Sequence, residues 1–244
     1  MTSFALPSRP VLGLSLRARL RPRRALAVAL LNVLPVVAAF VNLAAGEDRP
    51  RAVERSVGHL LLAVVIAVVA LALTSAAFAD EREDGTILYL TQTPTSRMSI
   101  VGSKIIAAWL ATIVICSPGI LATMILAANR RDLGSALWVL AAALSVGLAY
   151  CSIFAWLALK MRRAVITGLA YIVLWEGSVA SFAKSADKLS VSAYGRVVAR
   201  HASPDIVWEA TPLVSTLTAA IVLAALVVGA TFLASRRLER MELP

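Results

Sequence analysis

Long runs without a charged residue alternate with short charged clusters along the whole chain. The uncharged runs are Ala25–Gly46, Ser56–Ala79, Ile105–Asn129, Leu133–Leu159 and Ala210–Ser235, of 22, 24, 25, 27 and 26 residues. A sixth apolar run, Ala164–Ala183, is 20 residues long and contains one charge, Glu176. At 1.5 Å per residue, a helix of this length crosses the ~30 Å hydrocarbon layer of a bilayer. The runs are continuous rather than alternating segments of about ten residues, which selects helices over barrel strands. The pattern predicts an all-α, polytopic membrane protein with six transmembrane helices, forming a single transmembrane domain over 1–244.

Composition agrees. Of 244 residues, 59% are apolar and 16% charged, against roughly 45–50% and 25% for a soluble domain. That excludes a soluble globular domain, a disordered chain and a disulfide scaffold. Net charge is +10, from 24 basic and 14 acidic residues. Nucleic-acid binding would need those basic groups on one face. Here they flank the apolar runs instead, so no nucleic-acid partner is expected and membrane lipid is. A cytoplasmic N-terminus puts fifteen Lys and Arg inside and nine outside, with the strongest clusters at Lys160–Arg163 and Arg236–Arg240. The positive-inside bias therefore places both termini in the cytoplasm, in a cell inner membrane. Arg130 and Arg131 run against it, in a short outer loop.

Some local features refine the picture. Within 9–24, Leu12, Leu16 and Leu20 recur at helical spacing among arginines, which fits a basic interfacial helix as well as a disordered basic tail. The first apolar run exceeds a secretory h-region, so it reads as a retained span. Pro22 can open that span and Pro35 should kink it. Ala143, Gly147 and Cys151 line up small residues every four positions, a face for close helix packing within or between chains.

Chemistry-bearing residues are sparse. His59 and His201 lie in different segments, and neither an HExxH nor a Gly-x-Ser-x-Gly motif occurs. Cys116 and Cys151 both fall inside spans. Gly102-Ser103-Lys104 lacks the earlier glycine and the following Ser/Thr of a P-loop. The reading is a chain with no catalytic, metal or cofactor site of its own. Glu176 is the one carboxylate within a span. Exposed to lipid it would cost at least about 2.5 kcal/mol, so it should face protein or water, or be protonated. Two roles fit: a lining or gating residue of a translocation path, or a structural hydrogen-bond acceptor between helices.

The stretch 80–104 is the most informative. It opens with Asp80-Glu81-Arg82-Glu83-Asp84, against the local positive bias, and continues with an apolar patch of Ile87, Leu88 and Leu90 before Pro94. Thr95 or Ser96 can cap the helix that follows. A short amphipathic helix and a turn at the membrane face suit docking to a cytoplasmic partner; the acidic residues Asp80, Glu81, Glu83 and Asp84 also fit a plain solvated collar. Arg97 could contact that partner, or pair with headgroups or the acidic block.

This stretch resembles the loop between spans two and three of ABC-2 type transporter permeases, of pattern E-x-E-x-G-T-L-x-x-L-L-T-x-P-v-S-R-x-x-I-x-x-G-K. The matching positions are Glu81, Glu83, Gly85, Thr86, Leu90, Thr91, Pro94, Ser96, Arg97, Ile100 and Lys104; Gly102 falls one position early. The resemblance implies an ABC-2 type, type V exporter-like permease fold. It implies pairing with a second permease subunit (the same chain or a paralogue) and with separate ABC ATPase subunits that carry ATP and Mg. The loop would be the coupling element, with Glu81, Glu83, Gly85, Thr86, Leu88, Leu90, Pro94, Ser96, Arg97 and Lys104 as its ATPase-coupling residues. In such permeases the position of 184–212 holds short outer helices that cap the path. Here Tyr194, Val197, Val198, Ile206, Val207 and Trp208, punctuated by Pro204 and Pro212, suit an interfacial or re-entrant segment. The expected function is export of a hydrophobic or amphipathic substrate; the alternative is a membrane scaffold or immunity-type protein without a transport path.

Overall fold

The structure, a computed structural model, describes residues 26, 28–83, 97–127, 133–161, 163–179, 190–200 and 214–239. Every described element is helical: α1 Val33–Ala44, α2 Arg49–Val53, π1 Glu54–Val65, α3 Ile66–Glu83, α4 Arg97–Ala127, α5 Leu133–Lys160, α6 Ala164–Ala170, π2 Tyr171–Val179, α7 Val191–Arg200 and α8 Thr216–Glu239. The segments α2, π1 and α3 follow one another without a break, as do α6 and π2.

Among the described residues, each of the six apolar runs contains a helix. Four of these are long and apolar enough to cross a membrane: Arg49–Phe78, Arg97–Leu126, Ala136–Lys160 and Thr216–Leu238. Two apolar helices are shorter, Val28–Ala44 and Ala164–Glu176. The first is interrupted as its proline predicts. Pro35 has no N–H to give the carbonyl of Leu31, which instead accepts from Leu34 N at 3.2 Å across a turn at Leu31–Asn32.

The end of α1 shows why the chain reverses so tightly. Gly46 has φ +82°. Its N–H bonds to Leu43 O at 3.1 Å, and Glu47 N bonds to Asn42 O at 3.1 Å. This is a Schellman closure, which needs the left-handed conformation that glycine adopts without penalty. Arg49-Pro50 then starts the next helix, Pro50 sitting where a helical N–H has no partner anyway.

Helix α5 is the hub, in contact with α3, α4, α6, α7, α8 and π1. Its small-residue row packs inside the chain: a Cβ on Gly147 would lie 3.6 Å from Ile113 of α4 and from Ile66, the first residue of α3. The neighbouring Thr112 hydroxyl lies 3.8 Å from Cys151 Sγ. Lipid offers no hydrophobic drive for helix association, so close approach along such rows is what holds the bundle. Within α4, Pro118 deprives the carbonyl of Val114 of its helical donor, and the Ser117 hydroxyl supplies one at 3.1 Å. Outward faces are apolar. Leu30, Val37 and Phe40 lie on the first, Leu217, Ile221, Val228 and Phe232 on α8, and Val165, Ile166, Val173 and Leu174 on α6 and π2.

Candidate functional site

Two places carry the residues singled out in the sequence. One is the end of the bundle from which 84–96 emerges. Gly85, Thr86, Leu88, Leu90, Pro94 and Ser96 lie outside the described residues, and Glu81 and Glu83 belong to the last turn of α3. The final part of the expected loop, Arg97–Lys104, is helical from its first residue and forms the start of α4. The third apolar helix therefore begins eight residues before the uncharged run does, because its two cations find partners in the bundle. Lys104 is buried, its ammonium 4.9 Å from the centroid of the Phe78 ring of α3. Arg97 Nη1 donates to the carbonyl of Leu238 at 3.2 Å. That carbonyl belongs to the last turn of α8, where unpaired carbonyls collect and a cation is favoured by the helix dipole. The two residues thus tie the start of α4 to α3 on one side and to the end of α8 on the other.

The other place surrounds Glu176. This carboxylate is buried, 5% exposed. Its Oε1 accepts from the Tyr171 hydroxyl at 3.2 Å and from the backbone N–H of Val191 at 3.0 Å. Its Oε2 accepts from the hydroxyls of Ser190 and Ser192, each at 2.7 Å. An ionised carboxylate has about four acceptor positions, and four donors fill them. Arg196 Nη1, one turn along α7, donates to Ser192 Oγ at 3.3 Å, so a positive charge lies one hydroxyl away from the negative one. Tyr150, fully buried and stacked on Phe154 at 5.8 Å, brings its hydroxyl close to Glu176. Phe154 meets Tyr171 edge-on at 6.3 Å, which closes the apolar side.

Backbone geometry assembles this group. Residues five apart lie about 140° apart around an α-helix, so Tyr171 and Glu176 would diverge. The π segment, with its i→i+5 repeat, brings them onto one face. From the other side, Ser190 precedes α7 and accepts from Ala193 N at 3.2 Å, a helix N-cap. Helix α7 itself is buried along 191–199 and packs against the middle of α5. A Cβ on Gly195 would come within 2.3 Å of Val146 Cγ2, the fourteenth of the 28 residues of α5.

Sequence reasoning found Glu176 but not its partners. Ser190 ahead of an amphipathic stretch was a readable N-cap, and the five-residue spacing of Tyr171 and Glu176 has meaning only once the π register is known. A second such pair was equally hidden. Glu54, 4% exposed, has its Oε1 3.0 Å from His59 Nδ1, five residues on in π1. His201 lies outside the described residues. Among the described residues no group of three His, Cys, Asp or Glu converges as metal ligands would.

No curated protein sequence matches the chain. The description of the family named ABC-2 family transporter protein matches residues 10–243, nearly the entire length. A multi-pass bundle of apolar helices and a match over that range lead to one conclusion: the chain belongs to the ABC-2 transporter family, as a membrane permease component whose ATPase is a separate protein.

Proposed function

We propose that this permease exports a hydrophobic or amphipathic substrate, driven through the loop 80–104 by an ABC ATPase that docks on it. In this reading all six apolar helices span the membrane and both termini are cytoplasmic. The chain works as a pair, with a second copy or a paralogue. ATP and Mg act on the partner ATPase. The acidic residues Glu81 and Glu83, with Gly85, Thr86, Leu88, Leu90, Pro94 and Ser96, form the docking element.

The observation that carries the reading is the bracing at the exit of that loop. A push on 84–96 enters α4 at Arg97, where Lys104 holds α3 and Arg97 holds the end of α8. A displaced loop therefore moves three membrane helices rather than one.

Co-expression with an ABC ATPase from the same genome tests this. The complex should purify intact, and reversing Glu81 and Glu83 to lysine should release the ATPase while the permease stays folded. An ATPase that never associates would favour the scaffold reading. Cysteine labelling that finds position 85 on the exterior would overturn the topology.

A further inference from the structure

Helix α7 is an unusual tenant of a membrane bundle. It is ten residues long and carries Ser192, Tyr194, Arg196 and Arg200, yet Ser192 and Arg196 are only 1% and 3% exposed. A helix this short is marginal by itself. Its first N–H groups have no intrahelical acceptor, and at membrane depth no water replaces one. Two acceptors meet that need. Ser190 Oγ takes Ala193 N, and Glu176 takes Val191 N while also holding the hydroxyls of Ser190 and Ser192. One carboxylate therefore holds three consecutive residues at the start of α7 from a helix fifteen positions earlier. Downstream the fit is steric: Gly195 leaves no room for a Cβ against Val146. The seat is narrow, and a helix pivoting at its N-terminus would lose it.

We propose that Glu176 is the positioning residue of α7. Its carboxylate, held by four donors, fixes where that helix begins and keeps it packed against α5, so that replacing it with an amide unseats α7 and uncouples ATP turnover from transport. Glu176 then acts through α7 rather than by touching cargo. All four of its acceptor positions are taken by the protein's own donors. The uncoupling half rests on the permease function proposed above; the seating half does not.

Hydrogen exchange on the full chain in lipid nanodiscs tests the seating. Glu176→Gln should speed exchange of the amides of 193–199 about tenfold, which corresponds to roughly 1.4 kcal/mol. Amides of 143–157 in α5 should be unchanged, and Glu176→Asp should recover part of the protection because it keeps the carboxylate. Ser192→Ala, which removes one donor and is the milder change, should speed exchange of the same amides about threefold. Wild-type exchange of 193–199 in both Glu176→Gln and Ser192→Ala would overturn the proposal, since packing alone would then hold α7. Equal acceleration in α5 would overturn it too, by making Glu176 a general fold residue. For the uncoupling half, the reconstituted complex with Glu176→Gln should hydrolyse ATP without added substrate about threefold faster than wild type, with partial return in Glu176→Asp. Unchanged hydrolysis with a loosened α7 would overturn that half. If the wild-type permease binds no ATPase, the proposed function falls and the uncoupling half with it, while the exchange result stands on its own.

Discussion

Glu54 and Glu176 make an instructive pair. Each is a buried carboxylate in a π segment with a partner five residues away in sequence, and the two π segments pack against each other. Their surroundings differ. Glu176 has four donors and an arginine one hydroxyl beyond them. Glu54 has His59, whose side chain is 42% exposed, at ion-pair distance but outside good hydrogen-bond geometry. Nearby, Arg55 is committed to Glu47 rather than to Glu54. The same backbone device therefore serves a saturated anchor in one case and a buried carboxylate with a single half-exposed partner in the other. A buried charge owes its contribution to the completeness of its partners more than to its depth.

That contrast can be broken most sharply at Glu176. Replacing it with alanine strands the donors of Tyr171, Ser190, Val191 and Ser192, and should cost about 3–5 kcal/mol. Thermal unfolding in detergent would measure the loss, and a value below about 1 kcal/mol would put Glu176 in the same class as Glu54. Next in size is the steric half of the seat. Gly195→Ala drives a Cβ into Val146 and should cost about 1–3 kcal/mol. Combining it with Val146→Ala should recover most of that loss, so the two changes should be strongly non-additive.

A smaller effect is expected at the opposite end of the bundle. Arg97→Ala removes one hydrogen bond to the end of α8 and should cost about 1 kcal/mol, seen as faster exchange confined to 235–238. Arg97→Lys should retain the favourable charge at the helix C-terminus and lose less. The smallest change should come from Glu54→Gln. With one half-exposed partner, losing its charge should shift stability by less than about 1 kcal/mol in either direction. A loss as large as that of Glu176→Ala would erase the distinction between the two carboxylates.

Much of the architecture was legible in advance. Uncharged runs located every apolar helix, because no other composition tolerates hydrocarbon. Pro35 announced the break in the first of them, since a missing N–H is a local fact. The row Ala143, Gly147, Cys151 marked a packing face, although only the contacts of Gly147 with Ile66 and Ile113 assigned it to the inside of this chain. Helix α4 starts at Arg97, where a cap at Thr95 or Ser96 puts it, eight residues ahead of the uncharged run. Charge normally ends a membrane run, and nothing local reveals that Phe78 and Leu238 receive Lys104 and Arg97.

Helix α7 marks the limit. Its residues read only as part of a polar segment with short helices lying at or dipping into the outer interface. Its full burial depends on acceptors and space offered by distant residues, Glu176 and Val146. What the order of amino acids determined unaided was the set of apolar helices, their breaks and the high cost of a lone carboxylate among them. Those follow from transfer energies and from backbone groups a few positions apart. Which donors surround that carboxylate, which faces meet and which short helix lodges in the bundle were decided only in three dimensions. There, hydrogen-bond partners and steric room come from residues far apart along the chain.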